Sequence, residues 1–107
     1  MDSERIDRPH GGWWASILGG LAVNGLVGFV PAAYDFWATH VTTALSAGLV
    51  QAIFVAAVVT HVAEGWYAHR LAVRAGLGST AMGWFWQTLA LGFPSLRLLR
   101  QRVAAAR

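Results

Sequence analysis

The stretch VVTHVAEGWYAHR (58–70) decides how this chain folds, because an apolar run ends there and charge begins. Upstream of it, residues 36–63 contain no Asp, Glu, Lys or Arg. Two further windows, 9–34 and 75–96, are equally free of charge. A helix needs about 20 mostly apolar residues to cross a bilayer, and each window supplies them. Composition agrees: of 107 residues, 56% are hydrophobic and 12% charged, about half the charged share of an average soluble domain. The reading is an all-α membrane protein, one domain over 1–107, with three transmembrane helices at about 13–30, 41–74 and 81–100. The second helix extends beyond the bilayer through its amphipathic end, WYAHRLAVR.

The chain has no cysteine, which excludes disulfides, thiolate nucleophiles and Cys-based metal sites. Its first apolar window follows a mixed-charge segment, MDSERIDRPH, and has no small-x-small cleavage signal, so it is expected to stay as an anchor. All eight basic residues are Arg. With abundant Ala, Val and Gly, that points to a GC-rich bacterial genome and the bacterial cytoplasmic (inner) membrane. Arg97, Arg100 and Arg102 directly follow an apolar segment, a placement that suits anionic lipid headgroups and not nucleic acid.

Local signals outline the helices. Pro31 ends the first, and PAAYDFWATH (31–40) reads as a short connection. Thr42 or Thr43 could cap the second helix, and Ser79 or Thr80 the third. In the first helix Gly12, Ser16, Gly20, Asn24 and Gly28 recur every four residues; in the second, Ala44, Gly48, Ala52 and Ala56 do the same. Small residues let helix backbones approach closely in lipid, so these rows are expected to pack together. Trp13, Trp14, Trp37, Trp66, Tyr67, Trp84 and Trp86 are expected as interface anchors. Three spans place the termini on opposite sides, with four Arg flanking each face, so charge sets no orientation. Asp35 is then expected on the side of Arg97 and Arg100.

His61 and Glu64 stand one turn apart near the depth at which the third helix brings Gln87 and Thr88. The four are expected to form a polar lock between helices, worth about 0.6 kcal/mol per hydrogen bond and serving register more than stability. A wetted interfacial position and a catalytic or ion-handling site are the alternatives. Metal and cofactor sites are not expected. His69 stands eight residues from His61, about 12 Å along the axis. No Ser is placed with a base and an acid, and AGLGST (75–80) has neither P-loop Lys nor dinucleotide spacing.

THVAEGWYA (60–68) followed by GWFWQTLALGFPSL (83–96) resembles the transmembrane protein 254 family. The matching positions are His61, Val62, Glu64, Tyr67 and Ala68, then Trp84, Phe85, Gln87, Thr88, Gly92, Ser95 and Leu96. Here Ala63 stands where the family has glycine, Pro94 falls within the expected third helix, and Arg97 ends it early. The resemblance implies a small three-span membrane protein. It also implies a link to lipid or sterol metabolism, since related domains are attached to steroid-dehydrogenase-like enzymes. The expected role is a non-catalytic accessory or scaffolding subunit, with membrane lipids and other integral membrane subunits as partners. The rival is a self-contained lipid- or sterol-binding protein or lipid-modifying enzyme using His61 and Glu64.

Overall fold

The computed structural model describes residues 5–105. Five α-helices follow one another: α1 Gly11–Phe29, α2 Pro31–His40, α3 Ala47–Arg74, α4 Ala81–Leu91 and α5 Phe93–Ala105, with a 3-10 turn at Gly78–Thr80. Among the described residues there is no strand. Two helices, α1 and α3, are long and apolar enough to cross a membrane. Their 19 and 28 residues reach about 28 and 42 Å.

Each boundary has a local cause. The His10 ring caps α1 by accepting from the Gly12 amide at 3.0 Å. Pro31 forces Val30 into the extended region, φ −109° and ψ 110°, and then opens α2 from its first turn. The segment 31–40, expected as a connection, is therefore helical. Tyr34 holds it down by donating to the Leu45 carbonyl at 2.8 Å. The second long helix starts at Ala47 and not near residue 41, because the cap is Ser46, whose hydroxyl accepts from the Leu49 amide at 3.1 Å. Thr42 instead closes a turn on the Ala44 amide at 3.0 Å. At its other end α3 stops in a Schellman motif. Gly76 sits at φ 81°, and the Leu77 amide reaches back to the Ala72 carbonyl at 2.8 Å.

The expected third span is not one helix. Pro94 has no amide hydrogen, and in a continuing helix its ring would crowd the carbonyl four residues earlier. The chain breaks before it at Gly92, where φ 69° and ψ −129° suit only glycine. That leaves α4 with 11 residues, about 16 Å and half the hydrocarbon thickness. After the corner α5 folds back along α3 and α4. Leu96 and Leu99 join Ala68, Ala72, Leu77, Ala81 and Trp84 in one buried core, with Ile6 packed against it.

The molecule, 53 Å long, thus has two unlike parts. The core lies in a helical head built from the last turns of α3, the α4–α5 hairpin and the N-terminal segment. The rest is the α1–α3 hairpin, whose apolar windows are only 11% and 6% buried within the chain. A soluble core helix would be mostly buried, so these faces belong against lipid or other helices.

The fold-back also overturns the expected placement of the ends. Arg102 on α5 pairs with Asp7 at 3.1 Å, so the two ends of the described chain meet at the head. Arg5, Arg8, Arg70, Arg74, Arg97, Arg100 and Arg102 all belong to head segments; Arg107 lies outside the described residues. Asp35, on α2, is at the far end, away from Arg97 and Arg100.

Gly92→Ala should destabilise the head by about 1–3 kcal/mol, since an L-residue is strained at this φ and ψ. Its Cβ would also lie 3.0 Å from His61 Nε2. Gly48→Ala is the control, because a Cβ there meets nothing within 4 Å. Thermal unfolding in detergent should show a lowered midpoint for the first variant and none for the second.

Candidate functional site

The polar residues of the head form two adjoining groups around the corner. The first is on α3. A helix end leaves its last carbonyls without intrahelical partners, and His61 serves one of them at the end of α4. Its ring Nδ1 lies 2.9 Å from the Leu89 carbonyl. A carbonyl only accepts, so Nδ1 carries the hydrogen in this contact. Nε2 faces Gly92 together with Glu64: a Cβ at residue 92 would stand 3.0 Å from Nε2 and 3.2 Å from Glu64 Oε1. Backbone conformation therefore calls for glycine here, and a larger residue would also push the His61 and Glu64 side chains aside by a few tenths of an ångström. Both side chains are half-buried. Gly65, beside Glu64, lets α4 come close, since a Cβ there would lie 3.1 Å from the Phe85 carbonyl oxygen.

The second group ties α4 to α5 and to the N-terminal segment. Thr88 and Ser95 share a hydrogen bond of 2.8 Å. Gln87 Nε2 donates to Ser95 Oγ at 3.1 Å and to the Asp7 carbonyl at 2.8 Å. Gln87, Thr88 and Ser95 are all buried. The four residues expected as one lock are thus divided. His61 and Glu64 close the corner from α3, while Gln87 and Thr88 face Ser95. Ser95, which the sequence marks only as a match to the family, and Asp7 lie outside the expected lock. Their signal was the GFP triplet at 92–94, which reverses the chain and brings Ser95 under Thr88.

The remaining expected residues separate by environment. Trp13, Trp66, Tyr67 and Trp86 are exposed, and Trp14 and Trp37 are half-buried. Trp84 is no interface anchor: it is fully buried in the head core, where its length fills the space between α3, α4 and α5. Arg97 joins Arg8, His10 and Trp13 around a cavity of 160 Å³. Arg100 lies 5.5 Å from the centre of the Tyr67 ring. Arg102 is taken up by Asp7, with 11% of its side chain exposed.

Of the small residues, Gly28 makes the close approach between α1 and α3. A Cβ there would lie 3.3 Å from the Gln51 amide nitrogen, and Gln51 Nε2 donates to the Gly28 carbonyl at 2.7 Å. Gly25, outside the expected row, lies against Phe54. Side chains at Gly20 or Gly48 would meet nothing, and Gly12 touches only the capping His10 ring. Ala44 lies in the loop before α3, while Ser16 on α1 and Ala52 on α3 are exposed.

Chemically, the first group offers an imidazole nitrogen and a carboxylate oxygen facing one glycine, an arrangement that can bind or pass a proton. The hydroxyls of the second group are engaged with each other and with Gln87. Ser95→Ala should cost about 1–3 kcal/mol by stranding Gln87 and Thr88. Adding Thr88→Val should recover part of that loss, a coupling measured by a double-mutant cycle of unfolding in detergent.

The family model described as Transmembrane protein 254 matches residues 12–101, from the start of α1 into α5. No curated protein and no solved structure matches the chain. A match that takes in both long helices, the Gly92 corner and most of α5 covers most of the chain, and the protein belongs to the transmembrane protein 254 family.

Proposed function

We propose that this protein is a non-catalytic accessory or scaffolding subunit of a larger assembly in the bacterial cytoplasmic membrane, one that moves or modifies lipids, sterols included. The carrying observation is the sparse burial of the two long helices, 11% and 6% of their apolar windows. They touch along a strip near Gly25, Gly28, Gln51 and Phe54, which leaves most of their surface for lipid and partner helices. The head's exposed Trp66, Trp86 and Phe93 suit headgroup depth, and Arg97 and Arg100 suit anionic headgroups.

In this reading α4 and α5 re-enter the interface and do not form a third span. The seven described arginines then share one side, and the positive-inside tendency puts that side in the cytoplasm. Single cysteines replacing Thr39 and Ala104, both exposed, in the Cys-free chain test this. An impermeant maleimide should label Thr39→Cys in intact spheroplasts and Ala104→Cys only after lysis; labelling of both from one side would sink the topology.

One observation favours the rival, a self-contained lipid-modifying enzyme or lipid-binding protein: His61 Nε2 and Glu64 Oε1 converge on Gly92. Glu64→Gln separates the readings, because it keeps size and hydrogen bonding but removes the charge. The scaffold requires Glu64→Gln to retain the stoichiometric partner subunits seen by mass spectrometry after mild detergent purification. It also requires cellular activity to stay within about twofold of the parent, which is roughly 0.4 kcal/mol. A folded, fully assembled but inactive variant makes the carboxylate chemical and overturns the scaffold.

A further inference from the structure

The far end of the hairpin holds a groove unrelated to the Gly92 corner. It has a volume of about 440 Å³ and runs between α1, α2 and the start of α3, within the usual range for small-molecule sites. Its walls are aliphatic, with Val23 and Val27 on one side and Val50 and Ile53 on the other. Gly19 and Gly20 leave its inner end open, since a Cβ at either would meet nothing within 4 Å. Two polar atoms interrupt this surface. Asn24 Oδ1 and Trp37 Nε1 are buried and have no hydrogen-bond partner among the described residues, and both residues line the groove. One is an acceptor and the other a donor. Leaving both unsatisfied at membrane depth is costly, and a hydroxyl group, which both accepts and donates, has the chemistry that suits the pair.

We propose that this groove binds a neutral lipid alcohol of the diacylglycerol type. Its hydroxyl accepts from Trp37 Nε1–H and donates to Asn24 Oδ1. One acyl chain lies against Val23, Gly20 and Gly19, which with Val27 span about 12 Å of α1. Trp37 is on α2 at the membrane surface, and Gly19 lies towards the bilayer centre, so the ligand stands as it would in a leaflet. Charge selects a neutral headgroup: the described arginines are all in head segments, while α2 carries Asp35, which repels phosphate. The groove is open along its flank, so the second chain stays in the bilayer; a rigid polycyclic alcohol gains nothing from that opening. The proposal needs α1 and α3 to lie in lipid but is independent of any scaffolding role.

The full chain is reconstituted in liposomes containing a photoreactive diacylglycerol, its methyl ether, a photoreactive phosphatidylcholine or a photoreactive sterol, and labelled peptides are mapped. The alcohol should label peptides around Val23, Val27 and Ile53 about fivefold more than its ether, whose oxygen still accepts from Trp37 but cannot donate to Asn24, the factor expected from losing about one hydrogen bond. Gly20→Leu, whose Cβ enters open space, should abolish that labelling while the helical circular dichroism is kept. Trp37→Phe should weaken labelling by alcohol and ether alike, whereas Asn24→Leu should leave labelling but erase the preference for the alcohol over the ether. Equal labelling by the phosphatidylcholine or the ether, or labelling unaffected by Gly20→Leu, overturns the site. Labelling by the sterol alone overturns the diacylglycerol assignment.

Discussion

A helix that reaches Gly92, Phe93 and Pro94 has no continuation. Pro94 offers no amide hydrogen and would crowd the turn before it, and Gly92 supplies the only backbone conformation that lets the chain leave at this angle, φ 69° and ψ −129°. The rest of the head depends on that corner. It turns α5 back onto α3 and α4, sets Ser95 beneath Thr88 and carries Arg102 to Asp7. His61 and Glu64 sit against the glycine itself, so the most distinctive polar pair of the long helix faces the point where the third charge-free window bends.

The two parts of the molecule are held by different forces. In the head, Ala68, Ala72, Trp84 and Leu99 are completely buried, and removal of apolar surface from water contributes about 25 cal/mol per Å². The α1–α3 hairpin has no comparable core; Val27 and Val50 are its buried hydrophobic side chains. Lipid tails are as apolar as the helices, so association there rests on close contact. Gly28 permits that contact, Phe29 meets Phe54 edge-on at 5.7 Å, and Gln51 bonds the Gly28 carbonyl. The hairpin thus offers its helices to other apolar surfaces, whereas the head buries its apolar side chains within the chain.

Sequence reading succeeded where one physical variable was enough. Charge-free length marked α1 and α3, and the Gly-rich turn before Ala81 marked the start of α4. It failed where two signals competed. Residues 31–40 carry Pro, Asp and aromatics, which read as a connection, yet Pro31 at a first turn favours a helix. The window 75–96 is long enough for a span, but length says nothing about continuity, and the Gly92–Pro94 break outweighed it. Trp84 and Trp86 look alike in sequence and lie on different faces of α4, one buried and one exposed. The polar group split for the same reason. Depth alone placed His61, Glu64, Gln87 and Thr88 together, and the reversal at Gly92 gave Gln87 and Thr88 a nearer partner in Ser95.

The contact of Gln87 with the Asp7 carbonyl joins residues 80 positions apart, and the Arg102–Asp7 pair reaches further still. Contacts so distant along the chain close late, after the loops between them have formed. During synthesis α1 and α3 emerge long before α5, and chains fold from the N-terminus as they appear. The membrane hairpin is therefore in place while Ile6 and Asp7 still have nothing to rest on. Those residues are held first by Gln87 on α4, and they are clasped fully by Arg102 when α5 has been made and turned at Gly92.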